Sequence, residues 1–448
     1  MSFAVTRSAF RTNKQNNITS MSSAELKLQK RVAELEAQLA ESESRPKKRQ
    51  RNDDAEDELN SIKSTSSSST SSTSSISSPR SLTPVSKAMR GSHSIQRRSV
   101  TVCVPATSAN MGPGFDTVGM AVDMWNELTV TRATDGQLKI EIEGEGAGQI
   151  PTDETNLVAI GAKAAFEAAG EEYIPLHFKC KNRIPFGRGL GSSSAAIVSG
   201  IMAGLALVGH ELKVYGENSL YKGGAEIEPE ELLQIASDIE GHPDNVCPCI
   251  YGGIQLGILL EATAEKKRHW RSCRVNCPTD MQLVAFISDT VGKTSELRAV
   301  LPEKLTYAQA VFNIGRTAFL VNALNSNKLY DLKFGTQDAL HQPQRGAKVY
   351  HHLQPLIDAG LEEGACAVYL SGAGPTVMAI TSGAAGDVFA QRSTERTDIK
   401  VANAMVKVAK DKGYPGQVYI TRPVQHGAYI SKADPPFSTG LLKYPGGL

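Results

Sequence analysis

The stretch Pro185-Phe-Gly-Arg-Gly-Leu-Gly-Ser-Ser-Ser-Ala-Ala196 sets three glycines and three serines between segments of different character. Residues 177–184 before it alternate as a strand does, and residues 195–209 after it are small and apolar nearly all round, as in a buried helix. Glycine lets backbone approach a ligand closely, and a helix N-terminus offers free N–H groups and a partial positive charge. The chemistry this allows is the cradling of a phosphate; a plain Gly/Ser turn is the alternative. A Walker loop is excluded, because no Lys follows the last glycine, and Gly292-Lys293-Thr294 has Ile287 where the first glycine must stand. A dinucleotide fingerprint is excluded as well, since Ser192 takes its third glycine position.

Three other places carry reactive groups. Glu240-Gly-His-Pro-Asp-Asn245 puts an acid, an imidazole and an amide within six residues of a Gly/Pro turn. Asn110 and Asp116 flank Gly112-Pro113-Gly114, where they either project polar groups or cap their own backbone. Arg298 and Arg345 lie in segments read as helical. An arginine there is ordinarily solvated, but it is also the side chain best built to grip a carboxylate in bidentate fashion.

The string Pro-x-x-x-Gly-Leu-Gly-Ser-Ser-x-Ala over residues 185–195 resembles the nucleotide loop of the GHMP kinases. Two further stretches resemble that family's motifs in order: Pro-Ala-Thr-Ser-Ala-Asn-x-Gly-Pro-Gly-Phe-Asp-x-x-Gly over 105–119, and Leu-Ser-Gly-Ala-Gly-Pro-Thr over 370–376. Glu-Gly-His-Pro-Asp-Asn-Val over 240–246, Thr-x-x-x-Arg-x-x-Leu-Pro over 294–302 and Asp-x-x-His-x-Pro-x-Arg over 338–345 are similar to its homoserine-kinase branch. The resemblance covers roughly residues 98–430.

It implies an α+β fold in two halves with the active site between them. It implies ATP as phosphoryl donor, held at Pro185, Gly187, Gly189, Leu190, Gly191, Ser192, Ser193, Ser194 and Ala195, with Asn156 near the nucleoside and Gly372 and Gly374 closing the site. Mg²⁺ would sit on Glu240 and Ser193. Asn110, Asp116, His242, Thr294, Arg298 and Arg345 would fix L-homoserine, the two arginines on its carboxylate. Asn245 lies about where mevalonate kinases carry an aspartate base, and an amide cannot take a proton. Catalysis would therefore rest on positioning and charge neutralisation, as phosphoryl transfer permits. The product would be O-phospho-L-homoserine, for threonine synthesis. Another small-molecule substrate of the same family, or a non-catalytic nucleotide-binding scaffold, are the alternatives.

The elements that must position these groups begin near Arg98. Residues 99–105, 125–132, 138–143 and 281–288 read as strands, and residues 156–169, 229–240 and 294–302 as helices. The expected domains are 98–275 and 276–435, with a C-terminal tail over 436–448. Residues 1–97 read as a disordered tail, because Ser64–Ser75 is wholly serine and threonine and cannot bury a core. Leu28, Val32, Leu35 and Leu39 mark a short helix within it, under two heptads long. The tail reads equally as a transit peptide, an import signal or a plain linker. The 448-residue chain has a formal net charge of +1, which gives no electrostatic case for nucleic acid. No apolar run reaches the roughly 20 residues of a membrane helix. The seven scattered cysteines have no zinc layout. An intracellular enzyme of cytoplasm or plastid, not secreted and not in a membrane, is expected, and a homodimer is left open.

Overall fold

The computed structural model describes residues 96–210, 229–263, 267–292, 294–383 and 396–436. The expected tail with its short helix, save its last two residues, and the C-terminal tail, save residue 436, lie outside the described residues.

The β-branched run after Arg98 forms β1, Ser99–Ala109, which pairs antiparallel with β2, Val118–Arg132. Both strands run closer to the Asn110–Asp116 stretch than the sequence indicates. Residues 106–109 continue β1 after a register shift at Pro105/Ala106. Small polar residues can prolong a buried strand when each finds a partner. Here Thr107 N donates to Leu190 O, and Ser108 Oγ lies 2.8 Å from Ser371 Oγ.

β3, Lys139–Gly144, leads through α1, Leu157–Ala169, to β4, Leu176–Asn182, parallel to β3. Asn156 caps α1 and Gly170 closes it in the left-handed conformation. α2, Ser192–Leu207, follows the loop and is buried nearly throughout. It lies close on α1 because Gly200 has no side chain: a Cβ there would come within 2.3 Å of Val158 O. Each large buried side chain on α2, such as Ile197, Ile201 and Leu205, contributes about 1.5–3 kcal/mol. α3, Pro229–Glu240, and α4, Val246–Tyr251, bracket the Glu-Gly-His-Pro-Asp-Asn turn. β5, Ile254–Leu260, and β6, His269–Val275, form a hairpin joined to the start of β2.

The second sheet has the order β10-β7-β9-β8, with β7 at Gln282–Ser288, β8 at Ala367–Leu370, β9 at Val377–Thr381 and β10 at Gly416–Thr421. Before β8 run α5, Thr294–Ala299; α6, Tyr307–Asn325; α7, Leu332–Gly335; α8, Gln342–Lys348; and α9, Leu353–Glu362. α9 and α10, Thr397–Asp411, cover this sheet over a core that includes Phe286, Leu356, Val368 and Met405.

β11, Tyr429–Asp434, pairs with β1 and so completes the first sheet, although it lies in the segment assigned to the second half. Without it, β1 would present an unpaired edge. The described residues accordingly fall in one compact unit. No helix among them is long and apolar enough to cross a membrane.

Candidate active site

The phosphate-type loop lies where the two sheets meet. α2 begins at Ser192, three residues earlier than the sequence indicates, because Gly191 takes the N-cap with φ 69°. Ser192, Ser193 and Ser194 therefore form the first turn, where N–H groups have no intrahelical acceptor. The glycines are required by contact as well as by conformation. A Cβ on Gly191 would lie 1.9 Å from Thr107 Oγ1, and one on Gly189 (φ 73°) would lie 2.3 Å from Ser371 O. The β8–β9 turn presses on this loop: Ser371 Oγ donates to Gly189 O at 2.7 Å, and Gly372 N to Ala109 O at 3.0 Å.

Two cavities open on either side of the loop and share Gly187, Ser192, Ser193 and Gly292. The larger, about 510 Å³, is mainly apolar, with Leu157, Cys180, Ile184, Phe186 and Val291 in its wall. Its size and character suit a nucleoside. Asn156 and Ala195 line it. The Asn156 amide, however, is engaged in capping, accepting from Val158 N and donating to Pro151 O. Pro185 and Leu190 line neither cavity: both are buried beneath the loop. Leu190 acts through its carbonyl, which receives Thr107 N.

The smaller cavity, about 80 Å³, gathers charged groups from distant segments. Ser193 Oγ and Ser194 Oγ both donate to Glu240 Oε1, at 2.6 and 3.0 Å, which joins the helix end to α3. Asn245 stands on the same wall, and its Oδ1 accepts from Thr107 Oγ1 at 2.8 Å. His242 Nδ1 is 2.6 Å from Asp244 Oδ1. Burial by itself would lower the His242 pKa, but the hydrogen bond and charge of Asp244, with the charges of Glu240 and Asp116, raise it above its usual 6.5. That favours an imidazolium that donates to Asp244. Asp116, His242 and Asp244 present ligand atoms within 4.8 Å of one another. Both carboxylates are already taken, Asp244 by His242 and Asp116 by Arg298, so the cluster is an ion-pair network.

Arg298, from α5, donates to both oxygens of Asp116, at 2.9 and 2.7 Å. Arg345, from α8, is buried and donates to Gly372 O and to His341 Nδ1, each at 3.1 Å. Burial, then the charge of Arg298, pulls the Arg345 pKa down to about 10, which still leaves it a cation at neutral pH. Phe115 lies by both guanidinium groups, 5.4 Å from Arg298 Cζ and 5.7 Å from Arg345 Cζ, and offers each an aromatic face. His341 is buried, and burial lowers its pKa. The neutral ring donates from Nε2 to Gly112 O and accepts at Nδ1 from Arg345. Asp338 holds the start of α8 by accepting from the N–H groups of Leu340, His341 and Gln342.

Asn110, Met111 and Asp116 are all left-handed, with φ of 68°, 44° and 54°. Three non-glycine residues in this conformation store strain where the chain must aim side chains. The Asn110 amide is held on both sides, accepting from Asp116 N and donating to Gly372 O. Thr294 opens α5, and its side chain lies outside the described residues. Gly372 and Gly374 line the smaller cavity, not the larger.

Sequence reasoning missed Asp244, Phe115, His341 and Thr107 as working parts. All four stood within strings already singled out, and the four-residue step from His341 to Arg345 is the spacing of one helix face. The part of the larger cavity's wall that comes from β2 and β4, such as Leu128 and Cys180, has no local signal.

Residues 156–253 match the family described as GHMP kinases N terminal domain, and residues 320–407 match GHMP kinases C terminal. The chain is 38% identical over 333 residues to a homoserine kinase of Caldanaerobacter subterraneus subsp. tengcongensis, a match that covers 74% of this chain and 96% of that one. It is 39% identical over 303 residues to a homoserine kinase of Clavibacter michiganensis, covering 66% and 89%. Among solved structures it is similar to homoserine kinase from Cytophaga hutchinsonii, with a TM-score of 0.61, 26% identity, and 76% and 99% of the two chains covered. Mevalonate kinase of L. major, at 14% identity and a TM-score of 0.51 over 74% and 99% of the two chains, shares the fold.

Proposed function

The chain belongs to the GHMP kinase family, and from that premise we propose that it transfers the γ-phosphoryl group of ATP to the side-chain hydroxyl of L-homoserine. The product is O-phospho-L-homoserine, an intermediate of threonine synthesis. The observation that carries this reading is the convergence of Arg298 and Arg345 with Asp116 on a small cavity that shares its wall with the phosphate loop.

The nucleoside takes the larger cavity, and the first turn of α2 with the glycine loop takes the phosphates. A zwitterionic substrate takes over the charges already paired in the smaller cavity. Its carboxylate binds Arg298 and Arg345, and its ammonium binds Asp116. His242 and Asn245 border the same space and orient the hydroxyl chain. For a divalent cation the donors fit: Glu240 supplies a carboxylate and Ser193 a hydroxyl, hard oxygen ligands of the kind Mg²⁺ prefers. When bound there, such an ion would supply positive charge that neutralises the phosphates beside the loop.

The carboxylates that line the cavity are each engaged already, Asp116 by Arg298, Asp244 by His242 and Glu240 by Ser193 and Ser194. Asn245 cannot take a proton, and His242 is held toward its charged form by Asp244. The substrate hydroxyl therefore attacks in line with its proton leaving late, toward the phosphoryl oxygens. The protein contributes orientation and effective molarity. The seven cysteines are free thiols, which accords with a reducing compartment, cytoplasm or plastid.

The test is ADP release by the full chain with Mg·ATP and L-homoserine, mevalonate, galactose or shikimate as acceptor. Turnover on homoserine alone is expected. Turnover on another acceptor would keep the fold and overturn the role of the arginines; ATP binding without turnover on any would favour a scaffold.

A further inference from the structure

Two sides of the smaller cavity must be set against each other. One is Arg345 on α8, for a carboxylate; the other is Asp116, in the left-handed turn after β1, for an ammonium. In an α-amino acid both charged groups sit on one carbon, so only a narrow range of separations between these sides fits. His341 spans them. It is fully buried, with Nε2 2.7 Å from Gly112 O in the turn and Nδ1 3.1 Å from Arg345 Nη1. A guanidinium only donates and a carbonyl oxygen only accepts, so the ring is fixed as the tautomer with its proton on Nε2. Each ring nitrogen therefore serves a different side of the site.

The contacts around this link make it stiff. Gly112 (φ 87°) is pressed so close on the chain before α8 that a Cβ there would come within 2.2 Å of Thr336 O. The buried carboxylate of Asp338 pins the backbone of His341 by accepting from its N–H. Arg345 is held further by Nη1 to Gly372 O at 3.1 Å and by Nε to Leu297 O at 3.4 Å. Its Nη2 has no hydrogen-bond partner among the described residues, and Arg345 lines the cavity, which leaves that end for a ligand. A carboxylate in place of His341 would cancel the charge of Arg345. A neutral ring orients the guanidinium and leaves the charge to be used.

We propose that His341 is a positioning residue that fixes the separation between the carboxylate grip at Arg345 and the ammonium-binding turn, and so selects an acceptor that carries both charges on one carbon. This rests on the homoserine reading and adds the residue that sets its spacing.

The experiment compares wild type, His341→Leu and His341→Gln in the full chain. KM is measured for L-homoserine and for ATP. Competition constants against homoserine are measured for γ-hydroxybutyrate, which lacks the ammonium, and for 3-aminopropanol, which lacks the carboxylate. His341→Leu keeps bulk and loses both bonds. It should raise KM for homoserine about 10- to 100-fold, the scale of a lost bond to a charged group. KM for ATP and both competition constants should change little, because each analogue engages one side only and does not sense the spacing. His341→Gln, whose amide offers a donor and an acceptor, should recover most of the loss. An unchanged KM for homoserine in His341→Leu overturns the proposal. So does a loss shared equally by homoserine, both analogues and ATP, which is what a packing role alone predicts, or a Gln variant no better than Leu. A wild type that binds homoserine no better than either analogue overturns instead the substrate reading on which the proposal stands.

Discussion

Arg298 and Asp116 face each other across 182 residues of sequence, with two hydrogen bonds of 2.9 and 2.7 Å between guanidinium and carboxylate. The pair joins α5 to the strained turn after β1. It is an internal copy of what the site is proposed to bind, one positive and one negative group at amino-acid spacing. A zwitterionic substrate replaces each half with its own charge, so the site exchanges ion pairs and leaves no buried charge unmatched.

If the arginines grip a carboxylate, Arg298→Ala and Arg345→Ala should each raise KM for homoserine about 10- to 100-fold, the scale of one lost charged hydrogen bond. KM for ATP should stay near its wild-type value. Steady-state kinetics with each substrate varied decides this; an unchanged KM for homoserine in both variants would remove the main support for the substrate assignment.

Glu240→Gln keeps the shape of the α2–α3 junction and removes a charge. Turnover should fall by at least about 100-fold, with a higher Mg²⁺ requirement. Ser193→Ala should be milder, since Ser194 Oγ still holds Glu240. A Mg²⁺ titration of activity in both variants is the measurement, and equal losses would argue against Glu240 as the principal ligand.

The His242–Asp244 pair makes a pH prediction whose sign follows from the raised His242 pKa. Its contribution to stability is complete below the unfolded value of about 6.5 and is lost as pH rises through the higher folded value. Thermal melts of wild type and Asp244→Asn should therefore differ most under mildly acidic conditions and converge as pH rises. A gap that widened with pH would contradict the assigned charge states.

Gly191→Ala should cost both fold and function. The residue has φ 69°, and its new Cβ would press on Thr107 Oγ1. Left-handed strain alone is about 1–2 kcal/mol, and displacing Thr107 breaks its bond to Asn245. A lower Tm together with weaker ATP binding is expected. Gly413→Ala, left-handed but in open space, should lower Tm modestly and leave nucleotide binding intact.

Much of this was legible in the chain. The phosphate loop, the Glu240–Asn245 turn and the two arginines could be picked out because each is a short string whose residue types already restrict its backbone or its chemistry. α1 was bounded by its own caps, Asn156 and Gly170. Other features were not legible, because their causes lie far away in sequence. The start of α2 at Ser192 depends on Gly191 turning left-handed against Thr107, and the extra length of β1 depends on partners at Leu190 and Ser371.

The sequence by itself determined which groups are present and how they are strung locally: glycines before a helix, an acid beside an imidazole, arginines at one face of short helices. These properties follow from φ preference, periodicity and functional-group chemistry, which act within a few residues. Only the tertiary structure decided that Arg298 meets Asp116, that Asp244 raises the His242 pKa, that Phe115 lies by both guanidinium groups, and that β11 returns to the first sheet. Each of these is a contact between segments many residues apart or a charge in a buried setting. Its free energy exists only once packing has removed water and brought the partners within a few ångströms.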